Sequence, residues 1–314
     1  MMERFRWLPA ILVVAAASLP MFATGYVRYV ATLWVIFAVS AVGLQIPVGL
    51  AGVYSFGHSA FMLIGAYALG LCVLNAPFAI PLSIAAGIMV GIVVAIAFGG
   101  LLALPSLRLS TFALAIVTMG AASLLFHGVR SFTITGGPQG LLLPPLALVK
   151  SMDGRLFYLV SLAFLVLGAV VARCVERGDV GRRLRAAAAN PLMAQSFGVH
   201  LMRARTMVFV LSAVYGSIAG SLLALSTGFI APEAYGTELS IQVFAAVMIG
   251  GSSRYWGSIL GALFIVLIPE LTQSVQNLGP IIYSLLFMAV ATIYPGGLQQ
   301  MISGMMQRVT GRSA

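Results

Sequence analysis

Apolar residues are grouped into runs of roughly membrane-spanning length, and the polar stretches between these runs are short. A helix needs about 20 mostly apolar residues to cross a bilayer. The pattern therefore predicts an all-α fold, a polytopic transmembrane helical bundle of about ten spans. The predicted spans are 7–23, 29–50, 56–75, 79–104, 109–127, 156–175, 206–228, 237–253, 255–275 and 279–298.

The composition agrees with a chain whose solvent is the bilayer. Hydrophobic residues make up 61% of it, charged residues only 8%, and the mean hydropathy is +1.07. An ordinary soluble domain has a very different balance, so we expect residues 1–314 to form a single transmembrane domain. Arg4 and Arg6 precede the first run, which we interpret as an uncleaved span rather than a signal peptide, because further membrane segments follow at once.

The net charge of +10 comes largely from arginines in short loops. We interpret them as topology signals rather than as a nucleic-acid surface, because loops rich in Lys and Arg stay on the cytoplasmic side of a membrane. The segment from Arg173 to Arg205 contains seven arginines and two acidic residues. Counting spans from this loop predicts that both termini are cytoplasmic and that 130–155 lies outside.

Two of the apolar runs are atypical. One contains Pro47 and continues through a Gly-rich stretch to His58, and the other, 237–253, is short and ends in Gly-Gly-Ser-Ser. We expect broken or re-entrant segments here. Backbone that is not helical at membrane depth must be buried in protein or line an aqueous cavity, which makes both runs candidates for a transport pathway.

The candidate pathway residues of the first break are Ser55, Gly57, His58 and Ser59. For His58 we favour a structural role, in which the side chain bonds to neighbouring backbone and holds a broken helix together. Direct contact with a transported solute is the alternative, because an ionisable residue within the membrane is often functional.

The basic loop 176–205 contains a second local signal. Asn190 is a suitable N-cap, Pro191 suits the first helical position, and Gly198 can end the helix in a left-handed conformation. The pattern predicts a helix of about two turns. It would expose Leu192, Met193 and Phe197 to the cytosol, and it needs a groove, supplied either by a partner protein or by the chain's own membrane domain.

Several short motifs occur in a characteristic order along nearly the whole chain. They are Ser55 to Phe61 with Gly65-Ala-Tyr67, Leu107-Arg-Leu109 with Leu114 to Thr118, Thr135 to Leu141, Gly181 to Gly198, Phe229 to Glu233, Gly250-Gly251 with Trp256-Gly257, and Pro269-Glu270-Leu271. In this order the chain resembles the permeases of branched-chain amino-acid ABC importers, the LivH/LivM family, and it is closer to the LivM branch.

The resemblance implies a subunit that translocates branched-chain or similar amino acids through the bacterial inner membrane. It implies as partners a homologous second permease, two separate ATPase subunits and a periplasmic binding protein that delivers the amino acid. Segment 181–198 would be the helix that couples to the ATPase, and it has Asn190-Pro191 and Gln195 where acidic residues are common in relatives. The residues assigned to this coupling are Gly181, Arg182, Arg185, Asn190, Pro191, Met193, Phe197 and Gly198.

Other pathway candidates lie in the predicted outer parts of the chain. Thr135, Gly136 and Gly137 begin a segment whose Gly-Gly-Pro sequence predicts a tight turn, and we hypothesise that it receives solute from a binding protein. Glu270, near the outer end of its span, is either a pathway residue or an interfacial carboxylate that reaches water. For Glu233 we favour solvation or local capping over contact with a binding protein.

The sequence also bears on the energy source. A P-loop requires Gly-Lys-Ser/Thr, and the only lysine, Lys150, follows a valine, so we expect ATP hydrolysis on other subunits. We expect no enzymatic activity, no cofactor and no metal site, because the histidines and cysteines are scattered. The alternatives are a permease of the same family for urea or short amides and an autonomous secondary transporter. The second is disfavoured because the spans contain few ionisable residues.

Overall fold

The computed structural model describes residues 25–75, 80–144 and 154–271, together with scattered positions between 281 and 299. The predicted span 7–23 lies outside the described residues, and so does most of 279–298. The helices are α1 (Gly25–Gln45), α2 (His58–Asn75), α3 (Ile80–Ala103), α4 (Thr111–Ser131), α5 (Arg155–Arg177), α6 (Asp179–Ala189), α7 (Pro191–Ser196), α8 (Leu201–Thr227), α9 (Thr237–Gly250) and α10 (Tyr255–Leu271).

Six of the described helices are long and apolar enough to cross a bilayer, which agrees with a polytopic all-α membrane protein. They are Gly25–Leu50, His58–Asn75, Ile80–Leu107, Thr111–Ser131, Arg155–Arg177 and Leu201–Thr227. The remaining two predicted spans in the described part correspond to the shorter α9 and α10. With 14 residues, α9 is about 21 Å long, less than the roughly 30 Å of a hydrocarbon core.

The helices begin and end at two opposite faces of the bundle. On the first, the Gln45 side chain donates a hydrogen bond to the Ser252 carbonyl at 2.9 Å. A Cβ atom at Gly52 would lie 3.6 Å from the Ala188 side chain, so α6 lies at the same end. We call this end, which carries α6, α7 and the loop 251–254, the basic face.

The opposite end is the cap face. Two short strands, β1 (Leu141–Leu142) and β2 (Phe229–Ile230), pair there in an antiparallel register of Leu141 with Ile230 and Leu142 with Phe229. Gly70, near the end of α2, packs against this pair. The helices α1, α3 and α5 therefore run toward the basic face, whereas α2, α4 and α8 run away from it, in the alternating order that the charge pattern predicts.

Glycines allow the central helices to pack with their backbones almost in contact. A Cβ atom at Gly220 of α8 would overlap the Met62 carbonyl of α2, and one at Gly91 of α3 would lie 3.2 Å from the Gly65 Cα atom. Close approach of this kind stabilises helix pairs in a bilayer, where no hydrophobic drive holds them together. It joins α2, α3 and α8 into the centre of the bundle.

The first atypical run is a broken helix. After Gln45 the helix continues as a π-helical turn, Ile46–Leu50, and regular structure resumes only at His58. Helix α9 ends at Gly250, and a short turn leads into α10. The hydrogen bond between Gln45 and Ser252 thus joins the two Gly-rich regions that the sequence marks as atypical.

Candidate functional site

The unwound segment between Leu50 and His58 is held by neighbours from outside itself. The main-chain N–H of Phe56 donates to the Thr118 hydroxyl of α4 at 3.0 Å. That hydroxyl also donates to the Ala115 carbonyl at 2.9 Å. Gly57 lies directly against the Thr118 backbone, with only 3.0 Å between that carbonyl and the position of a Cβ atom. The break is therefore packed against α4 in one defined conformation.

His58 begins α2 in a fully buried position. Its Nδ1 atom lies 3.2 Å from the Ser212 hydroxyl of α8, whereas its Nε2 atom is buried without a hydrogen-bond partner in the described part of the chain. Two glycines, Gly43 and Gly216, make room for the ring. His58 thus contacts three helices where the broken segment re-enters the bundle.

Ser59 and Ser55 also form hydrogen bonds that hold the broken segment in place. The N–H of Ser59 donates to the Ser240 hydroxyl of α9 at 2.8 Å, and the Ser240 hydroxyl donates in turn to Ser59 Oγ at 2.8 Å. The Ser55 hydroxyl accepts from the Gly57 N–H at 3.4 Å. The break is therefore tied to α4, α8 and α9 together.

Thr135, Gly136 and Gly137 lie apart from this group, on the cap face. Thr135 Oγ1 donates to main-chain carbonyls at the end of α4. Gly136 and Gly137 have φ values of +75° and +54°, which confirms the tight turn. Gly70 of α2 packs against the cap strands and is 12 residues beyond His58, so about 18 Å of helix separates the two groups.

A half-exposed ion pair joins two cap segments. Arg130 at the end of α4 lies 3.6 Å from the Glu233 carboxylate, and its guanidinium sits over the Phe126 ring. Tyr235, two residues beyond Glu233, is buried, and this burial together with the neighbouring Tyr67 raises the pKa of Tyr235. Its hydroxyl therefore remains neutral. Glu270 lies near the end of α10, away from the break.

Helix α6 is the basic part of loop 176–205. Leu184 is buried and Gly181 lies close to the carbonyls at the end of α5. The Arg185 guanidinium donates to the Glu176 carbonyl at 2.9 Å, and Arg182 pairs with Asp179. The contacts of Gly181 and Arg185 fix α6 to α5, and α6 also lies against the π-helical turn of the broken helix. Sequence reasoning did not predict this helix.

Helix α7 confirms the local prediction for residues 190–198. Asn190 is its N-cap, and its side chain accepts from the Met193 N–H at 3.1 Å. Pro191 is the first helical residue, and Gly198 has a left-handed φ of +81°. Leu192 is 80% exposed and Phe197 82% exposed. In the described part of the chain, α7 thus presents apolar side chains that no groove of the same chain covers.

Sequence reasoning missed several residues of the break. Thr118, Ser212 and Ser240 each bond to the segment that contains Ser55 to Ser59. Their signal in the sequence is a single hydroxyl within an apolar run, which many helices show for structural reasons. Within the described residues, no three His, Cys, Asp or Glu side chains converge as metal ligands would.

Comparison with known proteins adds evidence independent of this geometry. Residues 26–294 match the family model described as branched-chain amino acid transport system / permease component. The chain is 30% identical to the high-affinity branched-chain amino acid transport system permease protein LivM of Escherichia coli (strain K12), over 94% of this chain and 75% of that protein.

Two further relatives are more distant or cover less of the chain. The permease protein LivH of the same E. coli strain is 25% identical over 77% of this chain and 83% of its own. The autoinducer 2 import system permease protein LsrC of Salmonella paratyphi B is 31% identical over 61% of this chain and 55% of its own. No solved structure matches the chain significantly.

Proposed function

Because this chain belongs to the permease-component family of branched-chain amino acid transport systems, we propose that it is one of two membrane-spanning permeases of an ATP-driven importer. It carries branched-chain or similar amino acids across the bacterial inner membrane. The observation that carries the proposal is the exposed apolar surface of α7, which the packed helix α6 connects to the broken transmembrane helix.

An ATPase subunit is the partner expected at α7. Leu192, Met193 and Phe197 are each at least 60% exposed, and their burial in a groove would contribute on the order of 1.5–3 kcal/mol for each side chain. Arg182 and Arg183 lie nearby on α6 and can meet acidic residues around the groove. Asn190 and Gln195 carry no charge, so salt bridges from these two positions are not part of the proposal.

The charge distribution supports a cytoplasmic basic face. Residues 176–205 contain six arginines and two acidic residues, and short basic loops stay in the cytoplasm. With this orientation the cap face is periplasmic, where Thr135, Gly136 and Gly137 meet solute delivered by a binding protein. In this proposal both chain termini are cytoplasmic, as the span count from the sequence predicts.

The names of the relatives support an amino-acid substrate. LivM and LivH are both named as branched-chain amino acid permeases, and two such proteins of one organism support pairing with a homologous second permease. LsrC is named for autoinducer 2 import, so substrates differ among relatives. Urea and short amides are therefore competing substrates.

The experiment is affinity purification of the full chain from its native membrane, followed by reconstitution into liposomes. The proposal predicts that a second permease and two ATPases purify with the chain. It also predicts that leucine, isoleucine or valine, with a binding protein, stimulates ATP hydrolysis and uptake. The matched control is the same liposomes without the ATPases. Uphill uptake in that control would contradict the proposal in favour of an autonomous transporter.

A further inference from the structure

One face of the bundle has polar groups exposed at a depth where lipid cannot satisfy them. Among the described residues, no hydrogen bond reaches the N–H of Tyr54 or the main-chain carbonyls of Gly52, Val53 and Tyr54. Gly52 and Tyr54 are exposed at this point. An unsatisfied backbone group in hydrocarbon costs several kcal/mol, so this face must contact water or protein.

The depth of this face follows from its helical neighbours. Phe56 bonds to Thr118, seven residues inside the basic-face end of α4, and Tyr54 packs on Phe244, six residues inside the end of α9. At 1.5 Å per residue, both positions lie about 10 Å from the basic face. Helix α4 has 21 residues and is therefore about 32 Å long, so this level lies about one third of the way along a helix that matches a hydrocarbon core of roughly 30 Å.

The exposed surface of α9, next to the broken segment, also carries polar groups. On α9 the exposed residues Glu238, Ile241 and Gln242 follow one another at the spacing of a single helical face. By contrast, the exposed face of α3 is purely apolar at the same level, with Val93 and Ile96 among its exposed side chains. The exposed surface of α3 therefore suits contact with lipid. The exposed surface formed by the broken segment and α9 does not, because it carries polar groups.

Three aromatic rings form the apolar part of this face. Phe244 and Phe56 have ring centroids 4.7 Å apart, and Tyr54 meets Phe244 edge-on at 5.6 Å. Phe244 is buried, Phe56 is partly buried, and Tyr54 is 42% exposed. The cluster thus presents an apolar surface beside unpaired main-chain groups, a combination that suits a solute with an apolar side chain and a polar head.

We propose that Tyr54 and Phe56, held in place by the buried Phe244 ring, line the aqueous translocation pathway and contact the apolar side chain of the transported amino acid. The inference rests on the proposed function and identifies where on this subunit the pathway lies. Water hydrates the exposed main-chain groups of the break. The second permease closes the pathway from the other side.

The test uses cysteine accessibility in membranes that hold the complete importer. The two native cysteines, Cys72 and Cys174, are first replaced by alanine, and uptake of leucine by this background is measured. Tyr54→Cys is then treated with a charged, water-soluble methanethiosulfonate, with and without ATP and with and without leucine. Gln242→Cys samples the same face should Tyr54→Cys fail to assemble, and Val93→Cys is the matched lipid-facing control.

Tyr54→Cys is expected to react at least about tenfold faster than Val93→Cys, because the thiolate that reacts forms only where water reaches the sulfur. Saturating leucine is expected to slow the reaction at Tyr54→Cys and leave Val93→Cys unchanged. Resistance of both Tyr54→Cys and Gln242→Cys in every nucleotide state would show that dry protein or lipid covers this face. Fast labelling that leucine does not alter would overturn the substrate contact.

These outcomes are separate from failure of the proposed function. If the cysteine-free background takes up leucine with ATP but Tyr54→Cys is not labelled, only the location of the pathway is wrong. If the background assembles with its partners and shows no leucine-stimulated uptake, the proposed substrate is wrong, whatever the labelling pattern.

Discussion

The Ser240 hydroxyl of α9 accepts a hydrogen bond from the main-chain N–H of Ser59, in the first turn of α2. Both residues are fully buried. A helix that begins inside a bundle leaves N–H groups that its own turns cannot satisfy, and here another helix supplies the acceptor. The start of α2 therefore depends on the position of α9.

Ser240→Ala is expected to destabilise the folded protein by about 1–2 kcal/mol, because it leaves a buried N–H without an acceptor. Ser59→Ala is the matched control. It removes one side-chain bond from the same pair but keeps the N–H bonded to Ser240, so it should cost less. Thermal unfolding of the purified protein in lipid nanodiscs measures both. Equal losses of stability in the two variants would show that the bond from the Ser59 N–H contributes no more to stability than the bond between the two hydroxyls.

The first turn of α7 depends on its N-cap residue, Asn190. Asn190→Ala is expected to destabilise this short helix by about 1 kcal/mol, since the N-cap bond to the Met193 N–H is lost. Hydrogen exchange of residues 191–198 should accelerate by about fivefold, which is the factor that corresponds to this energy. Asn190→Asp retains an acceptor and should exchange at the original rate. The prediction fails if alanine and aspartate behave alike.

Phe197→Asp tests the coupling role of α7. The side chain is 82% exposed, so the substitution should change the free energy of unfolding by less than about 0.5 kcal/mol. A carboxylate in an apolar groove is costly, and we expect ATPase binding and leucine uptake to fall at least about tenfold. Phe197→Leu keeps an apolar side chain and should retain most activity. Normal uptake by Phe197→Asp at normal expression would remove α7 from the mechanism.

The accuracy of the sequence predictions depended on how local each signal is. The cap of α7 was predicted correctly because Asn190, Pro191 and Gly198 act within a few residues of one another. The broken helix was anticipated from its glycines and proline, which disfavour a continuous helix wherever they occur. Six of the predicted spans match long helices because hydropathy is summed along the chain and needs no knowledge of neighbours.

The features that sequence reasoning missed depend on contacts between distant segments. The strand pair at Leu141 and Ile230 forms between residues far apart in sequence, and two-residue strands carry no periodic signal. Helix α6 is stabilised by packing of Leu184 and by the bond from Arg185 to the end of α5. The hydroxyl partners of the break were invisible for the same reason, since a lone serine in an apolar run does not reveal what it bonds to.

Gly220→Ala should disrupt the centre of the bundle. The added methyl group would overlap the Met62 carbonyl of α2, and overpacking of this kind typically costs about 1–3 kcal/mol. Gly100→Ala in α3 is the matched control, because a Cβ atom there meets nothing within 4 Å. We expect the first variant to unfold at a clearly lower temperature and the second to match the wild type. Comparable unfolding of the two would mean that α2 and α8 can separate without cost.

The cap face contains a tight turn that a single alanine would distort. Gly136 has a left-handed φ of +75°, and a Cβ atom there would overlap the Gly140 carbonyl. Gly136→Ala must therefore distort the turn, at a cost of about 1–2 kcal/mol for the backbone conformation alone. If this turn receives solute from the binding protein, uptake driven by the binding protein should fall, while ATP hydrolysis by the complex without binding protein should not change.

Gly128→Ala, eight residues earlier in α4, is the control for that variant, because a Cβ atom there meets nothing within 4 Å. It should leave both measurements unchanged. A loss of basal ATP hydrolysis in Gly136→Ala would indicate damage that reaches the basic face. Normal uptake by Gly136→Ala at normal expression would show that solute enters the importer without help from this turn, and the cap would then be a structural closure of the bundle only.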